Sequence, residues 1–185
     1  MSAATAGTST VTTWKIDPAH SVAEFKVKHM MIANVKGKFS GIAGTLILDE
    51  ADPARSSVEA AIPLETVFTG DAQRDTHLKS ADFFDAGKHP EMTFKSSGIE
   101  VKSPGQLAVT GSLTIHGISR SVTFEVEGPT PPAKDPWGNT RVGLEAVTRI
   151  NRKDFGLGWN AALETGGVLV GEEVAITLDI EFVKA

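Results

Sequence analysis

The stretch RDTHLKSADFFD, Arg74 to Asp85, gathers a guanidinium, an imidazole, three carboxylates and a Phe83–Phe84 pair into one short segment. His77 with Asp75 has the composition of a general base and its orienting acid, which would need a nucleophile to act on. No Gly-x-Ser-x-Gly turn supplies a serine and the chain has no cysteine, so no catalytic residue is assigned. Arg74 leaves two readings open. Its planar fork suits bidentate recognition of a phosphate or carboxylate, or it forms a salt bridge to Asp75 or Asp82 that pins the local structure. The five histidines, at 20, 29, 77, 89 and 116, show no His-x-x-x-His or His-Glu-x-x-His spacing. Without cysteine to complete a site, no metal and no cofactor is expected. His29 and His116, at strand ends, are expected to be hydrogen-bonded structural residues.

The elements around this stretch alternate with period two. In SVAEFKVKH, Ala23, Phe25, Val27 and His29 share one face while Glu24, Lys26 and Lys28 share the other. Leu107, Val109, Leu113 and Ile115 alternate in the same way, as do Val174, Ile176, Leu178, Ile180 and Phe182. Such patterns describe half-buried antiparallel strands with one wet face. SPGQ at 103–106 and HGIS at 116–119 read as hairpin turns, and the proline-rich 128–139 reads as a longer connection. Its Trp137 is expected to pack back onto the rim. About eight strands in one domain have to manage their edges, and closure into a barrel removes them. The fold class is therefore all-β: a single antiparallel, roughly eight-stranded barrel. Only the segment around RDTHLKS lacks alternation. Asp71 can cap a helix there, predicting one short helix near residues 71–80 with Leu78 facing inward, a natural lid.

At 185 residues the chain is of one-domain size, with residues 1–12 a flexible N-terminal segment and 13–185 the barrel. The net charge of −5 gives no overall field for nucleic acid, which is not an expected partner. Locally, Lys15, Lys26, Lys28, Lys36 and Lys38 outnumber Asp17 and Glu24. That surplus leaves transient contact with an anionic membrane surface open beside the simpler reading of a solvated strand face. The N-terminus carries no basic residue before Lys15 and no apolar run of signal-peptide length, so a cytoplasmic location is expected unless a signal has been removed.

Four blocks carry a resemblance: IDPAHSVAEFKVKHM, RDTHLKSADFFDAGKHPEMTF, GSLTIHGISRSVTF and NRKDFGLGW followed by VGEEVAITLDIEF. In order and spacing, from Trp14 to Val183, they are similar to the YceI family of lipid-binding proteins. The resemblance implies a lipocalin-like barrel whose apolar interior holds a polyisoprenoid, of the isoprenoid quinone or prenyl phosphate type, as a carrier, store or sequestering protein. A small enzyme acting on such a lipid is the alternative, with His29 the candidate for an inward-facing reactive group. The lining expected for the tunnel is Phe25, Val27, Val58, Ile62, Phe68, Leu78, Phe83, Phe94, Leu113, Phe124, Leu144, Trp159, Ile176 and Leu178, with Arg74 and His77 at a polar rim near the headgroup. A packed core would use the same residues, and the sequence does not separate the two. A homodimer also stays open.

Overall fold

The computed structural model describes residues 10–185. It contains eleven strands and one α-helix: β1 Val11–Ile16, β2 Val22–His29, β3 Ala33–Phe39, β4 Ala43–Asp49, β5 Ser57–Pro63, α1 Ala72–Lys79, β6 Glu91–Ser103, β7 Gln106–Ile115, β8 Ile118–Glu127, β9 Ala133–Lys134, β10 Thr140–Asn151 and β11 Val170–Lys184. The barrel closes because β11 pairs with β10 on one side and with β1 and β2 on the other. Going round from β1, the eight barrel strands run β4, β5, β6, β7, β8, β10, β11, all antiparallel. β1 begins at Val11, inside the segment that the sequence suggested was flexible, and Val11 pairs with Asp49.

The hairpin β2–β3 extends the wall beyond β1 and β4, and β3 leaves an edge there. One bridge, Lys38 to Phe68, covers part of that edge. At the C-terminal end of β3 the turn after α1 packs on it, where Phe84 meets Phe39 edge to face with centroids 5.7 Å apart. The helix forms where Asp71 predicts: its carboxylate accepts the Arg74 amide at 3.0 Å. Leu78 packs inward against the core.

Close approach of an aromatic ring to backbone explains one glycine. Gly111 sits on the inward face of β7, where a Cβ would lie 2.5 Å from the Phe94 ring and 2.4 Å from the Lys95 carbonyl oxygen. The missing side chain lets Phe94 lie across the neighbouring strand and meet Phe124 edge to face at 5.3 Å.

Trp137 departs from expectation. It is 81% exposed at the tip of the 128–139 loop, because that turn is held by Asp135 instead. The Asp135 carboxylate accepts the amides of Trp137 and Asn139 at 2.9 Å each, and the Arg141 Nε at 2.7 Å. Arg141 also donates to Asp17 at 2.6 Å and Glu181 at 2.5 Å, joining β10, β11 and the segment between β1 and β2. Hydrogen bonds from Arg141 and then His20 hold the Asp17 carboxyl down at about 2. A depressed carboxyl contributes stability above its ordinary value of 3.8 and loses it as pH falls through the folded value. His20, raised from 6.5 by its hydrogen bond to Asp17, contributes in the opposite sense, below its ordinary value, and loses that as pH rises. The expected result is that Arg141→Met lowers the thermal midpoint at neutral pH. The gap to wild type should then narrow between about pH 4 and about pH 2 as Asp17 protonates in both proteins. A gap unchanged over that range would show that Asp17 does not carry the coupling.

Candidate functional site: an apolar tunnel along the barrel

The inward faces of the strands do not fill the barrel. They enclose a cavity of about 630 Å³ that reaches from Leu78, Phe83 and Leu157 at the α1 end to Val101, Pro104, Gly105 and the 128–132 segment at the other. Along β7 the wall runs from Leu107 to Ile115. At about 3.3 Å per residue and a strand tilt near 40° that is roughly 20 Å of tunnel, so 630 Å³ leaves a cross-section of about 30 Å². The space is a slot about one hydrocarbon chain wide. Its volume lies within the roughly 300–1,000 Å³ of small-molecule sites.

The two ends differ. At the α1 end the wall includes Phe83 and Leu157, both buried, with Phe155 behind them. At the other end it includes exposed residues, among them Glu50, Pro104, Gly105 and Thr130, so the tunnel reaches the surface there. The polar lining is sparse: Glu24, Glu50, Ser56, Thr93, Thr130 and Arg152. Both glutamates are exposed, and no histidine lines the wall among the described residues. His29, which shares the inward face of β2, lies outside the lining and makes no side-chain hydrogen bond among the described residues.

Most residues placed inside from the sequence stand in the wall: Phe25, Val27, Val58, Ile62, Leu78, Phe83, Phe94, Leu113, Phe124, Leu144, Ile176 and Leu178. Phe68 and Trp159 do not. Phe68 follows the end of β5, is 55% exposed, and lies beneath Lys38 Nζ at 5.7 Å on the outer side of β3. Trp159 packs on the lid from outside, edge to face on His77 at 4.7 Å and tilted on Phe83 at 5.4 Å. Both lie in irregular segments, where alternation says nothing about which way a ring points.

The polar residues of the opening stretch prove to be fastenings. Arg74 pairs with neither Asp75 nor Asp82; its Nε donates to Thr69 Oγ1 at 2.8 Å and its Nη2 to the Thr69 carbonyl at 3.0 Å. Asp75 accepts the Thr69 amide at 2.9 Å and hydroxyl at 2.6 Å. His77 partners Asp82, at 2.8 Å, and not Asp75. Neither Arg74 nor His77 lines the tunnel. Together they lock α1 to the segment before it and to its own C-terminal turn, holding Leu78 and Phe83 over the closed end.

Arg152 is the residue that sequence reasoning missed. It is 4% exposed, and its guanidinium donates to four backbone carbonyls: Leu157 at 2.5 Å, Trp159 at 2.9 Å, Val170 at 3.3 Å and Gly171 at 2.8 Å. Burial pushes its pKa below the ordinary arginine value, with Glu172 opposing. It organises the long β10–β11 connection and puts a cation at the closed end of an otherwise apolar tunnel. The only signal for it in sequence is the NRKDFG block itself.

An antiparallel eight-stranded barrel around one slender apolar tunnel defines a lipocalin-like fold. The profile of the YceI-like domain matches residues 14–182, and the chain belongs to that family. It is 36% identical over 181 residues to the protein YceI of Escherichia coli O157:H7, covering 97% of this chain and 91% of that one. A UPF0312 protein of Vibrio parahaemolyticus is 39% identical over 137 residues, 74% of this chain and 72% of the relative. Among solved structures, Burkholderia cenocepacia BcnA superposes with a TM-score of 0.76 at 27% identity, over 90% of this chain and 98% of the other. A polyisoprenoid binding domain from Saccharophagus degradans superposes with a TM-score of 0.66 at 14% identity, over 93% and 98%, and shares the fold.

Proposed function

We propose that this protein binds one long-chain isoprenoid lipid in its tunnel, as a carrier or sequestering protein, without transforming it. The observation that carries this reading is the 630 Å³ apolar slot running nearly the length of the barrel. A solid core would leave no such space, since protein interiors pack like organic crystals. The polyisoprenoid named for the Saccharophagus degradans domain supports the ligand class, on fold likeness. An enzyme would place a reacting group on the lining. Of the polar lining residues, the two glutamates are exposed and Arg152 is committed to four carbonyls. The test is titration of delipidated protein with polyprenols of increasing length. Affinity should rise with each isoprene unit while the tail still finds empty slot, at up to about 0.8 kcal/mol per buried methylene, then level off. Affinity independent of length would contradict the tunnel as the site.

For transient membrane contact, the β2–β3 hairpin is the surface that we propose. The β2–β3 turn exposes Met30, Met31 and Ile32, at 39%, 61% and 79%, and Phe68 is exposed beyond β3. Lys26, Lys28, Lys36 and Lys38 stand exposed on the same hairpin. Apolar side chains at a tip with cations behind them suit insertion into an anionic bilayer. The hairpin lies at the α1 end, so docking brings the lid to the lipid. Vesicles with about a third anionic lipid should sediment the wild type, and Met31→Glu with Ile32→Glu should abolish this without changing the thermal midpoint. Equal binding to zwitterionic vesicles would contradict the electrostatic part.

A further inference from the structure

Two places among the described residues bring three metal-ligating side chains to within 4.8 Å of one another: Asp17, His20 and Glu181, and Asp85, His89 and His116. The first is already occupied. Asp17 and Glu181 both accept from Arg141, at 2.6 and 2.5 Å, and His20 Nδ1 meets Asp17 at 2.9 Å. A cation there would have to displace a guanidinium.

The second cluster is different. The imidazoles of His89 and His116 meet edge to face with centroids 5.0 Å apart, and neither makes a side-chain hydrogen bond or ion pair with a described residue. Asp85 meets one cation, Lys88, at 3.7 Å, and that lysine side chain is 79% exposed. All three ligand side chains are half-buried. Their backbones are held independently of any ion. The Asp85 amide donates to the Ser80 carbonyl, and the Lys88 and His89 amides donate to the Asp85 carbonyl, each at 2.9 Å. His116 stands in the tight β7–β8 turn with φ +55°. Two segments that are far apart in sequence therefore present two imidazoles and one carboxylate toward a common point.

We propose that Asp85, His89 and His116 bind a divalent transition-metal ion of the zinc and cobalt type, with at least one position open to water. Imidazole with carboxylate selects this class over magnesium or calcium, which prefer all-oxygen sites. A metal–nitrogen distance of about 2.0–2.1 Å puts tetrahedral ligand atoms about 3.3 Å apart, so the observed separations close by side-chain rotation. The site adjoins the tunnel's closed end: Asp85 follows Phe84 and His116 follows Ile115, and both neighbours line the wall. A bound ion ties the segment after α1 to the β7–β8 turn and so fastens the lid. The proposal departs from the expectation of no metal. The sequence search looked for paired histidines, whereas the pair here is Asp85-x-x-x-His89 and the third ligand comes from a distant turn.

The test is a cobalt(II) titration of the full chain, stripped with chelator and dialysed. A visible d–d absorption band should grow and saturate at about one ion per chain, zinc should bleach it, and zinc should raise the thermal midpoint by mass action. His116→Asn, chosen because asparagine tolerates positive φ, and His89→Gln should each abolish the band and weaken binding at least about tenfold. His20→Gln should leave both unchanged. A wild type without a saturable band, or a band that persists in both variants, overturns the proposal. Metal-free thermal midpoints establish that the variants are folded, and the result does not depend on any lipid.

Discussion

Arg152→Leu is expected to lower stability by about 3–5 kcal/mol. Two of the carbonyls it serves, Leu157 and Gly171, form fully buried hydrogen bonds with it, and those of Trp159 and Val170 are partly buried. A buried acceptor left without a donor costs about 1–3 kcal/mol, and two such acceptors plus the partly buried Trp159 carbonyl give the stated range, Val170 keeping its bond from Asn160 at 2.7 Å. Leucine fills only part of the space and brings no donor, so the 157–171 connection would have to open to water. Arg152→Lys should recover less than half, because one ammonium cannot reach carbonyls lying on several sides of a planar fork. Urea unfolding checks this: the midpoint should fall with the slope unchanged. A loss below about 1 kcal/mol for the leucine variant would mean that the connection finds other partners.

Ala146→Trp should do the reverse, sparing the fold and removing ligand. Ala146 is 4% exposed, lines the tunnel from β10, and pairs with Val126 and Leu178 in the flanking strands. In a solid core an added indole would force neighbours aside at about 1–3 kcal/mol or more. In a slot of 630 Å³ it enters empty space, so stability should change by less than about 1 kcal/mol. The lipid, competing for a cross-section about one chain wide, should lose at least about a hundredfold in affinity, equivalent to about 2.7 kcal/mol. Phe124→Ala gives the converse control. Phe124 is 6% exposed and meets Phe94 edge to face. Truncation in a packed core costs about 3–5 kcal/mol, and beside an existing cavity it should cost less.

The barrel and the position of its helix are legible in the sequence because period-two burial and an aspartate cap are local signals. Ala23, Phe25 and Val27 point inward for the same reason that Glu24, Lys26 and Lys28 point out. That signal ends where the strands end. Phe68, Trp137 and Trp159 sit in irregular segments, and each ring points where a neighbouring turn or lysine directs it. The partners of Arg74 and His77 are set in a similar way. Asp75 and Asp82 are nearest in sequence, yet Thr69 and the helix geometry decide which acid meets which base. Arg152 and the Asp85–His89–His116 cluster depend on which distant segments the barrel brings together, and spacing along the chain does not carry that information. Whether the interior is filled or open depends on side-chain volumes summed over eight strands, so the wall residues could be named before the void between them could be seen.

The central claim, one lipid in one slot, is tested most directly by organic extraction of the purified protein and mass spectrometry of the extract, with wild type and Ala146→Trp prepared in parallel. The prediction is about one long-chain isoprenoid per wild-type chain and close to none from the tryptophan variant at equal thermal stability. A wild-type extract without stoichiometric long-chain lipid, from protein that also fails to take up polyprenol when delipidated, would contradict it. So would equal lipid from both proteins.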